Sequence, residues 1–142
     1  MTRVYVSDGT GITFEAVAAV YIGDYVELDG DGLMKRGTAD SKLGIGVVSG
    51  SSYKGVLKSD GSARTANKIE IGEKAAVRCV GEVELKAMSG HAIVPGCRLI
   101  ATANGEVDKW ENTDEAQQIV GTAVSAVFDD EDDVAKVKAI LR

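Results

Sequence analysis

The chain has 142 residues, and its 16 basic and 22 acidic residues give a net charge of −6. This charge disfavours nucleic acid as a partner, because nucleic-acid affinity depends on clustered lysine and arginine. Hydrophobic residues make up 44% and charged residues 27%, a balance typical of a globular domain rather than a disordered chain. No apolar run approaches the ~20 residues of a membrane-spanning helix, and the first residues lack a signal-peptide core, so we expect no membrane partner.

Residues 1–15 are predicted to form an extended N-terminal arm. An apolar patch at residues 4–6 is followed by a glycine-rich, turn-prone stretch, and residues 12–15 alternate weakly, as a strand would. So short a segment buries little apolar surface alone, so we expect the arm to be mobile or to pair with another surface. A single β-rich domain is expected over residues 16–142. It begins with a short apolar run at residues 16–20, whose periodicity does not distinguish a strand from a helix.

The next part of the chain alternates short strands with glycine turns. Residues 25–28 and 33–36 predict a hairpin, because the Asp-Gly-Asp-Gly between them supplies the positive φ values that a tight turn requires. A further strand is predicted over residues 43–48, where Gly44 and Gly46 leave one face without side chains. Another backbone can approach such a face closely, so both glycines are candidate interface residues.

A polar segment and two more strands follow. Residues 49–67 are rich in serine and glycine and predict a loop around Tyr53. A loop this long in a compact domain is usually functional or mobile, which makes Tyr53 a candidate interface residue. Residues 75–80 and 82–85 predict two strands separated by a bulge or bend at Gly81.

The second half of the chain repeats the first in weak form. The order is preserved from the first glycine turn to the last strand: residues 23–26 resemble 96–99, 31–34 resemble 104–107, 43–47 resemble 120–124, and 76–80 resemble 135–140. This order predicts two copies of one β unit that share a core. Small barrels also reuse such turns without duplication, and the sequence leaves both explanations open.

No residue pattern points to a catalytic, cofactor or metal site. His91, the sole histidine, lies between strands without a nucleophile elbow, which is typical of a surface loop. Cys79 and Cys97 lack the Cys-x-x-Cys spacing of a redox pair. Residues 29–32 lack the spacing of a calcium loop and indicate a turn. The acidic residues 129–133 either bind a divalent cation weakly or form a solvated turn, and so dense a run of like charges favours the turn. We therefore predict a protein that is not an enzyme and that carries no cofactor.

Trp110 follows a predicted strand at a polar loop. A lone tryptophan there can anchor a partner protein, or it can cover the core of a barrel. The sequence does not separate the two roles, and Trp110 is kept as a candidate interface residue.

In their order, these motifs resemble the small capsid decoration, or cement, proteins of tailed bacteriophages and related viruses. The resemblance covers residues 12–142. An apolar, alanine-rich segment leads into Gly-Asp-x-Val, and Leu-Gly-Ile-Gly-Val and Val-Arg-x-x-Gly-x-Val-x-Leu strands follow. These three motifs lie at residues 16–26, 43–47 and 77–85. The second half of the chain repeats the pattern at residues 93–99, 103–107, 119–123 and 134–142. Cys97 departs from the pattern, since the second turn would have aspartate there.

The resemblance implies a mainly β fold of the small β-barrel or β-tulip-like kind and a non-enzymatic role. Such proteins bind the outer surface of the mature, expanded capsid, commonly as homotrimers, and bridge neighbouring major capsid protein subunits. The implied partners are therefore the major capsid protein and further copies of this chain. The implied location is the outer capsid surface of the virion, after synthesis in the host cytoplasm.

The N-terminal arm fits this role. An extended segment can add a strand to an exposed sheet edge, where its alternate side chains fill pockets. We expect the arm to become ordered only on the capsid. The candidate capsid contacts are Val4, Tyr5, Val6, Ile12 and Phe14.

A different class of protein fits the same composition, namely a cellular small-barrel module that binds protein or carbohydrate. A carbohydrate-binding surface normally presents several exposed aromatic rings. This chain has one Trp, four Tyr and two Phe in total, and several of them must lie in the core. The composition therefore favours the capsid role over the carbohydrate-binding one.

Overall fold

The structure is a computed structural model that describes residues 12–39, 41–51, 57–58, 60–88, 92–111 and 115–141. Nearly all regular structure in these residues is β, and the only helices among them are two 3₁₀ turns of three residues, Ala103–Gly105 and Ala116–Gln118. The predicted mainly β class is therefore confirmed.

The first half of the chain forms a closed five-stranded barrel with a small extra sheet. Its strands are β1 (Ile12–Ala16), β2 (Val20–Tyr21), β3 (Tyr25–Leu28), β4 (Leu33–Arg36), β5 (Gly44–Ser51), β6 (Lys68–Ile69) and β7 (Lys74–Arg78). The barrel has the order β1-β4-β3-β5-β7, and antiparallel pairing of β1 with β7 closes it. β1 pairs with β4 in parallel, and β2 pairs with β6 in a separate two-stranded sheet.

The core of this barrel follows from the alternation of side chains along each strand. One face of each strand carries aliphatic residues, which point inward and lose contact with water. The buried cluster consists of Ala16, Val20, Val26, Met34, Val48, Ile69, Ala75 and Val77.

The second half of the chain builds a ring with the same strand order. Its strands are β8 (Gly81–Lys86), β9 (Arg98–Ala101), β10 (Val107–Lys109), β11 (Ile119–Ala123), β12 (Phe128–Asp129) and β13 (Ala135–Leu141). β10, β9, β11 and β13 are adjacent in that order, and β8 pairs antiparallel with β13. A parallel bridge between Ala87 and Val107 links the end of β8 to β10. The ring therefore joins its strands as the first barrel does, with β8 in the place of β1.

The predicted internal repeat is thus present in the topology and in individual hydrogen bonds. The Val17 amide donates to the Met34 carbonyl at 3.0 Å, and the Met88 amide donates to the Val107 carbonyl at 3.0 Å. In each case the donor directly follows the alanine, Ala16 or Ala87, that pairs in parallel with the acceptor's strand. We call residues 12–78 unit 1 and residues 81–141 unit 2.

The structure shifts one of the predicted equivalences by two residues. The sequence aligned residues 43–47 with 120–124, which matches Gly44 to Gly121. In the structure, Gly46 is the counterpart of Gly121. Gly46 pairs with Val26 of β3 and Gly121 with Leu99 of β9, and each lies at an irregularity in that pairing. A slip of two residues keeps every side chain on the same face of the strand, so alternation in the sequence cannot detect it.

The structure also corrects the boundary of the arm. Residues 12–15 belong to β1, which fills the gap between β4 and β7, instead of to an extended arm. Phe14 is half-buried and packs against the barrel core. The physical reason is that the barrel is open without this strand, so β1 finds its hydrogen-bonding partners within the chain.

Two further expectations are resolved by the fold. The apolar run at residues 16–20 is neither one strand nor a helix, since β1 ends at Ala16 and β2 begins at Val20 after a bend. The predicted bend at Gly81 is confirmed, and the φ of this glycine is +90°. It lies where the chain passes from β7 of unit 1 to β8 of unit 2, so the two strands belong to different rings.

Candidate functional site

The two units meet at a buried carboxylate. Asp24 lies just before β3 and is completely buried. It accepts hydrogen bonds from Arg36 Nε at 2.7 Å, from Lys86 Nζ at 2.6 Å and from the backbone amide of Tyr21 at 2.8 Å. Lys86 belongs to unit 2, as does Gly105, where a Cβ would come within 3.0 Å of the Asp24 side chain. The cluster therefore joins the units through charge and through close packing.

The electrostatics of this cluster favour a structural role. The hydrogen bond to Asp24 is the main cause that raises the pKa of Arg36. The Arg36 guanidinium and the Lys86 ammonium lie 5.3 Å and 5.8 Å from the centre of the Tyr21 ring, within the range of cation–π attraction. The oxygens of this carboxylate are occupied by two cations and an amide of the same chain. Charge-assisted hydrogen bonds of this kind stabilise the junction of the units.

Gly44 and Gly46 make close contacts within the chain. A side chain at Gly44 would overlap the ring of Tyr25, and one at Gly46 would overlap the carbonyl oxygen of Arg78. Tyr25 is only 6% exposed and packs with the core of unit 2. The predicted close approach of another backbone is thus present at Gly46, whereas Gly44 lies against a side chain. The partners that the structure shows for both glycines are inside this chain.

A cleft of about 350 Å³ runs beside these glycines, between the units. Unit 1 lines it with Tyr25 and Cys79, and unit 2 lines it with Gln117, Ile119 and Leu141. Burial is the main cause that raises the pKa of Tyr25 to about 12, and the nearby charge of Glu27 adds to it.

This pKa predicts a loss of stability at alkaline pH. The phenol of Tyr25 titrates near 10 in the unfolded chain and at about 12 in the folded one. Its contribution is therefore complete below pH 10 and disappears as the pH rises towards 12, up to about 2–3 kcal/mol. Chemical denaturation at about pH 9 and about pH 11.5 measures this loss. The Tyr25→Phe variant should lose less stability over that interval, and an equal loss in both proteins would contradict the assignment.

Trp110 forms two hydrogen bonds within unit 2. Its backbone amide donates to the Arg98 carbonyl at 2.7 Å, and its indole Nε1 donates to the Glu115 carbonyl at 3.2 Å. The side chain is half-buried. These contacts supply the indole N–H with a partner within the chain, whereas its role towards another protein stays a prediction.

The remaining chemical candidates are accounted for locally. Cys79 and Cys97 are both free and half-buried, and burial raises the pKa of the Cys79 thiol, which disfavours the reactive thiolate. Asp130 accepts hydrogen bonds from the Val134 amide at 2.9 Å and from Lys136 Nζ, 3.0 Å away, so the acidic segment there forms a turn. Within the described ranges, no three potential metal ligands cluster, and no helix is long and apolar enough to cross a membrane.

Several predicted residues lie outside the part of the chain that the structure describes. They are Val4, Tyr5, Val6, Tyr53 and His91. The other two candidate arm residues, Ile12 and Phe14, lie in β1.

The outer surfaces of the two units differ in what covers them. Tyr25 and Val47 of unit 1 are buried against the core of unit 2. Their counterparts in unit 2 are Arg98 and Thr122, and both are exposed. Together with Ile140, which is 51% exposed, they line a groove of about 470 Å³. We call Arg98, Thr122 and Ile140 the open face.

The open face is absent from the residues that the sequence predicted as an interface, although β13 carries a signal for it. Along this strand Val137 and Ala139 are buried, and Lys138 and Ile140 are exposed. An isoleucine at a position of the solvent-facing register indicates either a contact surface or an isolated exposed apolar residue.

Among the solved structures that share this fold are two phage proteins, although no protein-family model and no curated protein sequence matches the chain. The N base of head fiber gp8.5 of bacteriophage phi29 is 12% identical, with a TM-score of 0.57 over 93% of this chain and 92% of that one. The C-terminal fragment of bacteriophage phi29 gene product 12 is 16% identical, with a TM-score of 0.54 over 92% of this chain and 98% of that one. At such identities the likeness shows a common fold.

Proposed function

We propose that this chain is a non-enzymatic decoration protein that binds the outer surface of a mature phage capsid. The observation that carries the proposal is the fold likeness to the base of a phage head fiber over more than nine tenths of both chains. The order of sequence motifs, which resembles that of capsid decoration proteins, supports it independently. In this role the partners are the major capsid protein and further copies of the chain, and the location is the virion.

The use of the buried polar groups supports a non-enzymatic role. Asp24 binds its two cations at the junction of the units. Glu27 is 5% exposed and accepts hydrogen bonds from the amide and the hydroxyl of Thr38, the latter at 2.7 Å. Both carboxylates thus hold the backbone of unit 1 in place, and neither is presented to a substrate.

A homotrimer that bridges neighbouring capsid subunits is the form we propose for the bound state. Each protomer adds its own contacts, so contacts that are weak singly become strong together through avidity. The net charge of −6 keeps the free protein soluble until it meets the capsid.

Co-sedimentation with capsids tests the proposal. The purified chain is mixed with expanded capsids and with unexpanded procapsids of the virus that encodes it, and the pelleted amount is measured against concentration. We expect saturable binding to the expanded capsid and a rise in the temperature at which that capsid opens. An absence of binding to expanded capsids at micromolar concentration would overturn the capsid role.

The arm is tested by deletion of residues 1–11. The barrel begins with β1, so the deletion should leave the melting temperature unchanged. If Val4, Tyr5 and Val6 add a strand to the capsid, affinity for the expanded capsid should fall about tenfold or more. A matched control replaces Ser7 and Asp8, which follow the apolar patch in the sequence, with alanine and should bind like the full chain. Unchanged affinity after the deletion would assign the capsid contacts to the folded units instead.

A further inference from the structure

The junction between the units has two sides, and each side occurs a second time in the chain. The head side belongs to unit 1 and consists of Asp24, Tyr25 and Arg36. The tail side belongs to unit 2 and consists of Lys86 and Gly105. Because the chain is duplicated, unit 2 carries its own version of the head side, and unit 1 carries its own version of the tail side.

Strand pairing identifies the second head side. In unit 1, Val26 pairs with Arg36, and in unit 2, Leu99 pairs with Lys109. Lys109 is therefore the counterpart of Arg36. The same register makes Cys97 the counterpart of Asp24 and Arg98 the counterpart of Tyr25.

Strand pairing also identifies the second tail side. Glu15 and Lys86 are each followed by an alanine that pairs in parallel with the third strand of its ring. Glu15 is therefore the counterpart of Lys86. Gly32 corresponds to Gly105, since both glycines lie in the turn before that third strand and both have a φ of +72°.

Exposure separates the used sides from the unused ones. On the used sides, Tyr25 is 6% exposed and Gly105 is buried. Their counterparts Arg98 and Gly32 are exposed, and so is Lys109, while Glu15 is half-buried, as Lys86 is. One head side and one tail side of the same architecture are thus left uncovered on each chain.

The charges of the two uncovered sides are complementary. The covered junction pairs the tail cation Lys86 with the head carboxylate Asp24. On the uncovered head side, Cys97 replaces that carboxylate and the cation Lys109 remains, while the uncovered tail side carries Glu15 in place of the lysine. Neither Lys109 nor Glu15 forms an ion pair with another residue in the described part of the chain. If an uncovered head side met an uncovered tail side, the cation Lys109 would therefore face the carboxylate of Glu15.

We infer that the uncovered head side of one copy binds the uncovered tail side of a second copy, in the arrangement that the units adopt within the chain. Lys109 of one copy faces Glu15 of the next, and Arg98 of the open face is covered at the contact. A head-to-tail contact of this kind generates a closed ring when its rotation closes. The inference concerns the free protein and goes beyond the proposed function, since it does not require capsid binding.

Native mass spectrometry and sedimentation velocity on the full chain test this contact across a concentration series. The wild-type chain should assemble as its concentration rises. Lys109→Glu and Glu15→Lys should each raise the dissociation constant about tenfold, because an attractive contact becomes a repulsive one. The double variant has the wild-type net charge and the pair in swapped order, so it should assemble like the wild type. Asp132→Lys, an exposed charge reversal far along the chain, is the matched control.

Three results would overturn the inference: a wild-type chain that stays monomeric throughout, single variants that assemble like the wild type, or a double variant that does not recover. Lys109 is exposed at the end of β10, so its variant tests the contact without disturbing a core. Assembly without capsid binding would contradict the proposed function alone. Capsid binding by a strictly monomeric chain would contradict this inference alone.

Discussion

Replacement of Asp24 with alanine is expected to lower the free energy of unfolding by about 3 kcal/mol. The change removes the carboxylate that accepts hydrogen bonds from Tyr21, Arg36 and Lys86, and leaves the two cations without an anion. Removal of one partner from a fully buried ion pair costs about 3–5 kcal/mol. The loss here falls at the lower end, since the Arg36 and Lys86 side chains are 36% and 21% exposed.

Urea denaturation followed by tryptophan fluorescence measures this change, and the melting temperature should fall by about 10 °C. The matched control is Asp29→Ala. It breaks the exposed pair between Asp29 and Lys35, whose atoms lie 3.6 Å apart, and should cost less than about 1 kcal/mol. Equal losses in the two variants would show that the buried cluster does not hold the units together.

Replacement of Gly46 with alanine is the second large effect that we expect. This glycine has a φ of +155°, and a Cβ there would overlap the backbone carbonyl of Arg78 on the paired strand β7. A backbone atom cannot rotate away as the end of a side chain can, so β5 and β7 would have to separate. We expect a loss of more than about 3 kcal/mol, or failure to fold.

The matched control for this variant is Gly50→Ala on the same strand. No atom lies within 4 Å of the position of its Cβ, so the change should alter stability by less than about 1 kcal/mol and can raise it slightly. Thermal melts of both variants give the comparison. If Gly46→Ala melts like Gly50→Ala, the close backbone contact between β5 and β7 does not exist in solution.

Much of the strand content could be predicted because its signals are local. The Asp-Gly turn at residues 29–32 predicted the hairpin that β3 and β4 form. Glycine turns at corresponding places in the two halves predicted the duplication. Turn chemistry and side-chain alternation depend on neighbours within a few residues, and these are visible in any sequence.

The junction of the units could not be predicted in the same way. Residues 23–24 signalled a turn, but nothing near them indicated that the carboxylate of Asp24 is completely buried. Its cations lie 12 and 62 residues further along the chain, at Arg36 and Lys86. Pairs at such separations are set by how strands are ordered in space, which a single sequence does not reveal.

By itself the sequence determined that this protein is β-rich and acidic, because composition, turns and alternation are properties of short segments. It indicated a repeat, which the strand order then showed. Only the tertiary structure decided which side of each unit is covered. In the structure, Gly44 and Gly46 make contacts within the chain, and residues 12–15 belong to the barrel. Arg98 is exposed, although the equivalent residue of unit 1, Tyr25, is buried. The reason is that a residue is buried only when a second surface packs against it. Equivalent positions in the two units have equivalent backbones, but the packing of the units decides which of these positions is covered.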